Sequence, residues 1–175
     1  MIDEPKALRW LHRFLPRTRS KAIFLFVTYC YSVALTHIAA RLITAAGFWQ
    51  IRVDPENNIQ QYVRPGVDDS RLIDLLVISP LVESLVTIVI IESLHRLKFR
   101  TVVQVIVSTS VICFLHGIEY AFWAFSIAPE VAIEAGTYIY WRRISVSVGA
   151  AMIVALHVLF NCLPALTVIM ERLNG

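Results

Sequence analysis

Four side chains with chemistry to offer stand in surroundings that rarely tolerate them: Glu83, His116, His157 and Asn161, all within strongly apolar stretches. A charged group at the centre of a membrane helix costs roughly 2.5–3.5 kcal/mol on insertion scales, so such groups are retained for use. Glu and His in a water-poor setting are the raw material of general acid–base and hydrolytic chemistry. His157 and Asn161 are four residues apart and share a helix face, from which both can donate hydrogen bonds to a developing negative charge. Glu119 and Tyr120 follow His116 at helical spacing, and Gly117 between them allows a neighbouring backbone to come close. Pro80 precedes Glu83 by three residues; a proline inside a helix removes one backbone hydrogen bond and can open a polar niche there. The plainer reading of each pair is polar glue between helices.

The elements that must position these residues read as membrane spans. The 175-residue chain is 57% hydrophobic and 17% charged, against about 25% charged in an ordinary soluble domain. Its apolar residues lie in long blocks with sparse charge, which points to one all-α integral membrane domain. About four transmembrane helices are expected, near residues 22–46, 72–94, 101–127 and 144–170, with polar loops over 47–71 and 128–143. Residues 1–21 carry Lys6, Arg9, Arg13, Arg17, Arg19 and Lys21 among Ala7, Leu8, Leu11, Phe14 and Leu15 at helical spacing. That pattern suits a basic amphipathic helix lying on an anionic membrane surface. With four spans, Lys and Arg favour both termini in the cytoplasm by ten to five, although Arg142 and Arg143 then fall on the wrong side. Glu92 and Arg96, four apart, suggest an interfacial ion pair. His37 and the cysteines Cys30, Cys113 and Cys162 read as packing residues; an odd cysteine count without a CxxC pair supports neither a disulfide framework nor a zinc ribbon. The net charge of +3 is small and unevenly placed, which bears on orientation and not on nucleic acid.

The order Pro80-x-x-Glu83, then Phe114-Leu115-His116, then His157-x-x-x-Asn161 resembles the CPBP family of intramembrane proteases, also called the Abi or CAAX-protease family. The likeness covers about Ile78 to Leu163, roughly half of the chain. Ser84 stands where the family usually has a second Glu, Ile88 where it has Arg, and Ile112 where the second motif has Phe. The resemblance implies a bacterial cytoplasmic-membrane endopeptidase acting on a hydrophobic or lipidated peptide or protein. It implies that Glu83 and His116 activate water and that His157 and Asn161 hold the oxyanion; Glu119 and Tyr120, by their spacing from His116, and Ser84, beside Glu83, are candidates to support them. It leaves metal dependence open: Glu83, His116 and His157 would be the ligands of a divalent ion such as zinc.

Two other classes of function fit the same residues. One is a non-catalytic membrane immunity or assembly factor derived from that family, as the missing Glu and Arg suggest. The other is a b-type haem protein with His116 and His157 as axial ligands. A proton or ion conductor using Glu83, Glu92 and Glu119 is a weaker fit. Membrane lipid is an expected partner in every case.

Overall fold

The computed structural model describes residues 20–45, 72–118 and 121–174, with the side chains of 121–123, 167, 168 and 171–174 excepted. The N-terminal arm, the 47–71 loop, Glu119 and Tyr120 lie outside the described residues. The chain is all-helical where described. Five helices follow one another: α1 (Lys21–Ala45), α2 (a wide-wound start over Asp74–Ile78 continuing as Ser79–Arg96), α3 (Thr101–Gly117), α4 (Ala121–Trp141) and α5 (Val146–Asn174). Among the described residues three segments are long and apolar enough to cross a membrane: Lys21–Ala45, Asp74–Arg96 and Val146–Leu166. At 1.5 Å per residue, the 25 residues of α1 span about 37 Å, more than the roughly 30 Å hydrocarbon core. Phe26, Leu85, Ile106 and Phe114 lie on the outside, as lipid-facing residues should.

The third span expected over 101–127 divides, because α3 ends at Gly117 and a new helix begins at Ala121. The loop expected over 128–143 is almost entirely helical and forms the most buried part of the bundle. Pro129, Glu130, Glu134 and Gly136 give α4 the composition of a loop. It packs against α1, α3 and α5, however, and a helix sheathed by other helices need not satisfy lipid. Ala135, Tyr138 and Ile139 of α4 share a core with Ile91, Val105 and Ile153. A second core joins Phe24 to Trp141 and Met152.

The contacts also set the direction of each helix. Phe24, at the start of α1, stacks on Tyr140 and meets Trp141 edge-on at the end of α4, with ring centroids 5.4 and 5.3 Å apart. Glu92, near the end of α2, pairs with Arg142 just past α4. At the other end of the bundle, Asn161 reaches Leu75 and His116 reaches Glu83. Helices α1, α3 and α5 therefore run one way and α2 and α4 the other. The start of α1 and the end of α5 lie at opposite ends of the bundle because of the extra helix α4. It also brings Arg142 and Arg143 to the end that holds the other basic turn.

The turns are built from local chemistry. Ser145 caps α5, its side-chain oxygen accepting from Val148 N–H at 3.1 Å. Helix α2 closes with Phe99 N–H donating to Leu94 O and Lys98 N–H to His95 O, around Lys98 at φ 60°. This is the paired closure that normally places glycine at the left-handed position, where a side chain meets the following carbonyl. Lys98→Gly is expected to stabilise the fold by about 1 kcal/mol, read as a higher midpoint of thermal unfolding in micelles. An unchanged or lower midpoint means the lysine side chain contributes more than the strain it carries.

Candidate functional site

The side chains of Glu83, His116 and His157 come from three different helices to one point. Nε2 of His116 lies 3.0 Å from Oε2 of Glu83, and Nε2 of His157 lies 3.7 Å from the same oxygen. The other carboxylate oxygen, Oε1, accepts a 2.6 Å hydrogen bond from the Ser79 hydroxyl one turn earlier. Glu83 is thus held from both sides. His116 and Glu83 remain partly accessible, with side-chain exposures of 31% and 22%, whereas His157 is at 10%.

A fourth member went unnoticed in the sequence. Oε2 of Glu134 approaches Nδ1 of His157 to 3.2 Å, and Glu134 is only 3% exposed. The two groups are close enough for an ion pair, although the angle at this distance is not that of a hydrogen bond, and neither Nδ1 nor the other oxygen, Oε1, has a hydrogen-bond partner among the described residues. Burying a carboxylate away from water is costly unless it is paired. Glu134 was obscured because its segment has loop-like composition; its spacing, four residues after Glu130 and three after Val131, is a helical signal once the segment is taken as buried.

Asn161, one turn beyond His157 on α5, makes a different contact. Its Nδ2 donates to the carbonyl of Leu75 at 2.8 Å. The reason lies in Pro80. Ser79 N–H donates to Asp74 O, five residues back, and in that wide register the carbonyl next in line, Leu75 O, would need a donor from residue 80. Proline has none. The Asn161 amide supplies it across the helix interface, so the expected niche after Pro80 is real and is bridged by α5. Asn161→Ala is expected to destabilise the bundle by about 1–2 kcal/mol, because the partly buried carbonyl loses its donor. Denaturant titration in micelles measures this; an unaltered midpoint would mean that Asn161 contributes nothing to the fold.

Among the other expected residues, Ser84 is buried beside Glu83, and its hydroxyl has no hydrogen-bond partner among the described residues. Gly117 admits α4 closely, since a Cβ there would lie 3.2 Å from that of Ala124. Glu92 is not paired with Arg96. It accepts from the Tyr138 hydroxyl at 2.5 Å and pairs with Arg142, Nε to Oε1 at 2.9 Å and Nη2 to Oε2 at 3.2 Å. His37 and Cys30 are exposed on α1 and do not pack inward. Among the described residues no three His, Cys, Asp or Glu side chains are disposed to hold a metal ion.

No family model matches the chain, and no curated protein or solved structure does.

Proposed function

We propose that this protein is an intramembrane endopeptidase of the CPBP type, with Glu83, His116 and His157 as its catalytic residues. The observation that carries the reading is the approach of both histidine Nε2 atoms to one oxygen of Glu83, at 3.0 and 3.7 Å. Positioning an acid–base pair in a water-poor site is worth about 10²- to 10⁴-fold in rate. Glu83, steadied by His116 and Ser79, takes a proton from water as the water oxygen bonds to the scissile carbonyl carbon. His157 donates to the resulting oxyanion. Collapse of the tetrahedral species breaks the carbon–nitrogen bond, and the proton held by the Glu83–His116 pair passes to the departing amine. Glu134 beside Nδ1 and Glu83 beside Nε2 let His157 present N–H to both sides as an imidazolium, the form best suited to stabilise negative charge. Asn161 serves first as the latch on Leu75, with its second N–H left for the oxyanion.

Sidedness follows from charge. Lys21 at the start of α1, Arg96, Lys98 and Arg100 around the α2–α3 turn, and Arg142 and Arg143 after α4 lie at one end of the bundle, and five more Lys and Arg precede α1 in sequence. That end faces the cytoplasm. The cluster lies toward the other end: Glu83 is nine residues from Asp74, roughly 14 Å along the helix, and His116 is next to the last residue of α3. The substrate is a hydrophobic or lipid-anchored peptide that approaches from the non-cytoplasmic half of the bilayer. A reporter that works only outside the cytoplasm is expected to be active when fused after Gly175; activity of a cytoplasm-only reporter there would refute the orientation. The reaction itself is tested by comparing cleavage of membrane-anchored peptide reporters by wild type and Glu83→Gln. Equal cleavage by the two removes the protease reading and leaves the protein acting by contact.

A further inference from the structure

At the end of the bundle opposite the Glu83 cluster lies a half-open cavity of about 260 Å³, lined by His95, Thr101, Gln104, Ile139, Arg142 and Arg143. It sits where the α2–α3 turn meets the end of α4, and nothing in the proposed reaction uses it. We propose that this cavity is a binding site for the phosphate of an anionic phospholipid headgroup.

Four observations support that ligand chemistry. Arg142 is held in place by Glu92, which engages two of the five N–H groups of its guanidinium and leaves the rest available to a ligand. An arginine fixed in this way binds a phosphate without first losing side-chain freedom. Arg143 and His95 line the same space, so cationic and polar donors face it from both sides. The start of α3 opens onto it as well. The Arg100 cap residue makes no side-chain capping bond, and the helical ladder begins with Gln104 N–H donating to Arg100 O, so the N–H groups of the preceding turn, with Thr101 on the lining, have no acceptor within the helix. Gln104, itself 3% exposed, is braced by its own bond to Phe99 O at 2.8 Å, which keeps that wall rigid.

The surroundings favour a lipid over a soluble phosphate. Leu97, Phe99, Ile144 and Val146 flank the lining residues in sequence, and each leaves about half or more of its surface exposed. A headgroup seated in the cavity would lay its acyl chains along such residues. Basic pockets between membrane helices near the cytoplasmic surface have this character.

Native mass spectrometry of the delipidated protein tests the site with phosphatidylglycerol and phosphatidylcholine of matched chains. The wild type is expected to retain phosphatidylglycerol about five-fold more strongly, the scale of one cation near a membrane surface. Arg143→Gln is expected to bring the two lipids to parity, and Thr101→Val, on the facing wall, to cost about three-fold. Lys98→Gln removes a cation from the same end but outside the lining, and is expected to leave the preference intact. Absence of a preference in the wild type overturns the proposal, and so does an equal loss in Lys98→Gln and Arg143→Gln, which would mark diffuse charge. Stabilisation by millimolar inorganic phosphate without any lipid preference assigns the cavity to a soluble anion and overturns the lipid assignment. None of these outcomes depends on whether Glu83 cuts peptides.

Discussion

Glu83→Gln is expected to lower peptide cleavage by roughly 10²- to 10⁴-fold, the range lost when a positioned acid–base group is removed. Glutamine keeps the size of the side chain, and its carbonyl can still accept from Ser79, whose bond to Glu83 is 2.6 Å. What it loses is the ability to take a proton, together with the charge that faces His116 at 3.0 Å and His157 at 3.7 Å. The folded fraction should therefore change little while turnover collapses, a separation that a purely structural glutamate would not show. Because no natural substrate is defined, the measurement compares new peptide termini in membranes containing wild type or variant, followed by a purified assay on whichever peptide responds. Wild-type rates in Glu83→Gln would leave the three-helix convergence as a polar helix interface and nothing more. Glu134 acts through His157, so its loss should lower the rate without abolishing it. A variant at Glu134 as inactive as Glu83→Gln would move the proton-accepting role to the second carboxylate.

The largest effect on stability is expected at the other end of the bundle. Arg142→Met should destabilise the protein by about 2–3 kcal/mol, toward the lower edge of the range for breaking a buried ion pair because both partners keep some exposure. Arg142 and Glu92 are 15% and 22% exposed at their side chains, and removing the arginine strands a carboxylate that is also bonded to Tyr138. The surroundings offer little relaxation: a Cβ at Gly149 would lie 3.0 Å from both the backbone nitrogen of Arg142 and the Tyr138 ring, so α5 passes with no space to spare. Adding Glu92→Gln to Arg142→Met should restore much of the loss, since no charge is then left unpaired. Unfolding midpoints of the two single variants and the double variant in micelles give the coupling directly. Additive losses would show that the pair is incidental.

These two regions show how unevenly the chain discloses itself. The apolar blocks of α1, α2 and α5 could be read without a structure, because a helix facing lipid must be apolar for about 20 residues and composition records that requirement. The isolated polar residues Glu83, His116 and His157 could be read for the same reason, as exceptions to it. Helix α4 could not. Its neighbours α1, α3 and α5 stand in for lipid, so it carries Glu130, Glu134 and Gly136 without penalty and resembles a loop. With α4 hidden, the topology lost one helix, and Arg142 and Arg143 contradicted the charge rule.

The sequence by itself pointed to a helical chain with about four apolar spans, and to a carboxylate and two imidazoles within its apolar stretches; among the described residues three helices are long and apolar enough to cross a membrane. Only the tertiary structure decided that these three side chains converge on one oxygen of Glu83, that Glu134 completes the group, and that Glu92 belongs to Arg142 and Tyr138 instead of Arg96. It also gave Asn161 a partner that the sequence did not show, the carbonyl that Pro80 leaves open. The physical reason is common to all of these. Insertion into a membrane is priced residue by residue along the chain, so its demands are written in composition. The pairing of buried polar groups is set by which helices pack together, and that choice depends on residues as far apart as Leu75 and Asn161.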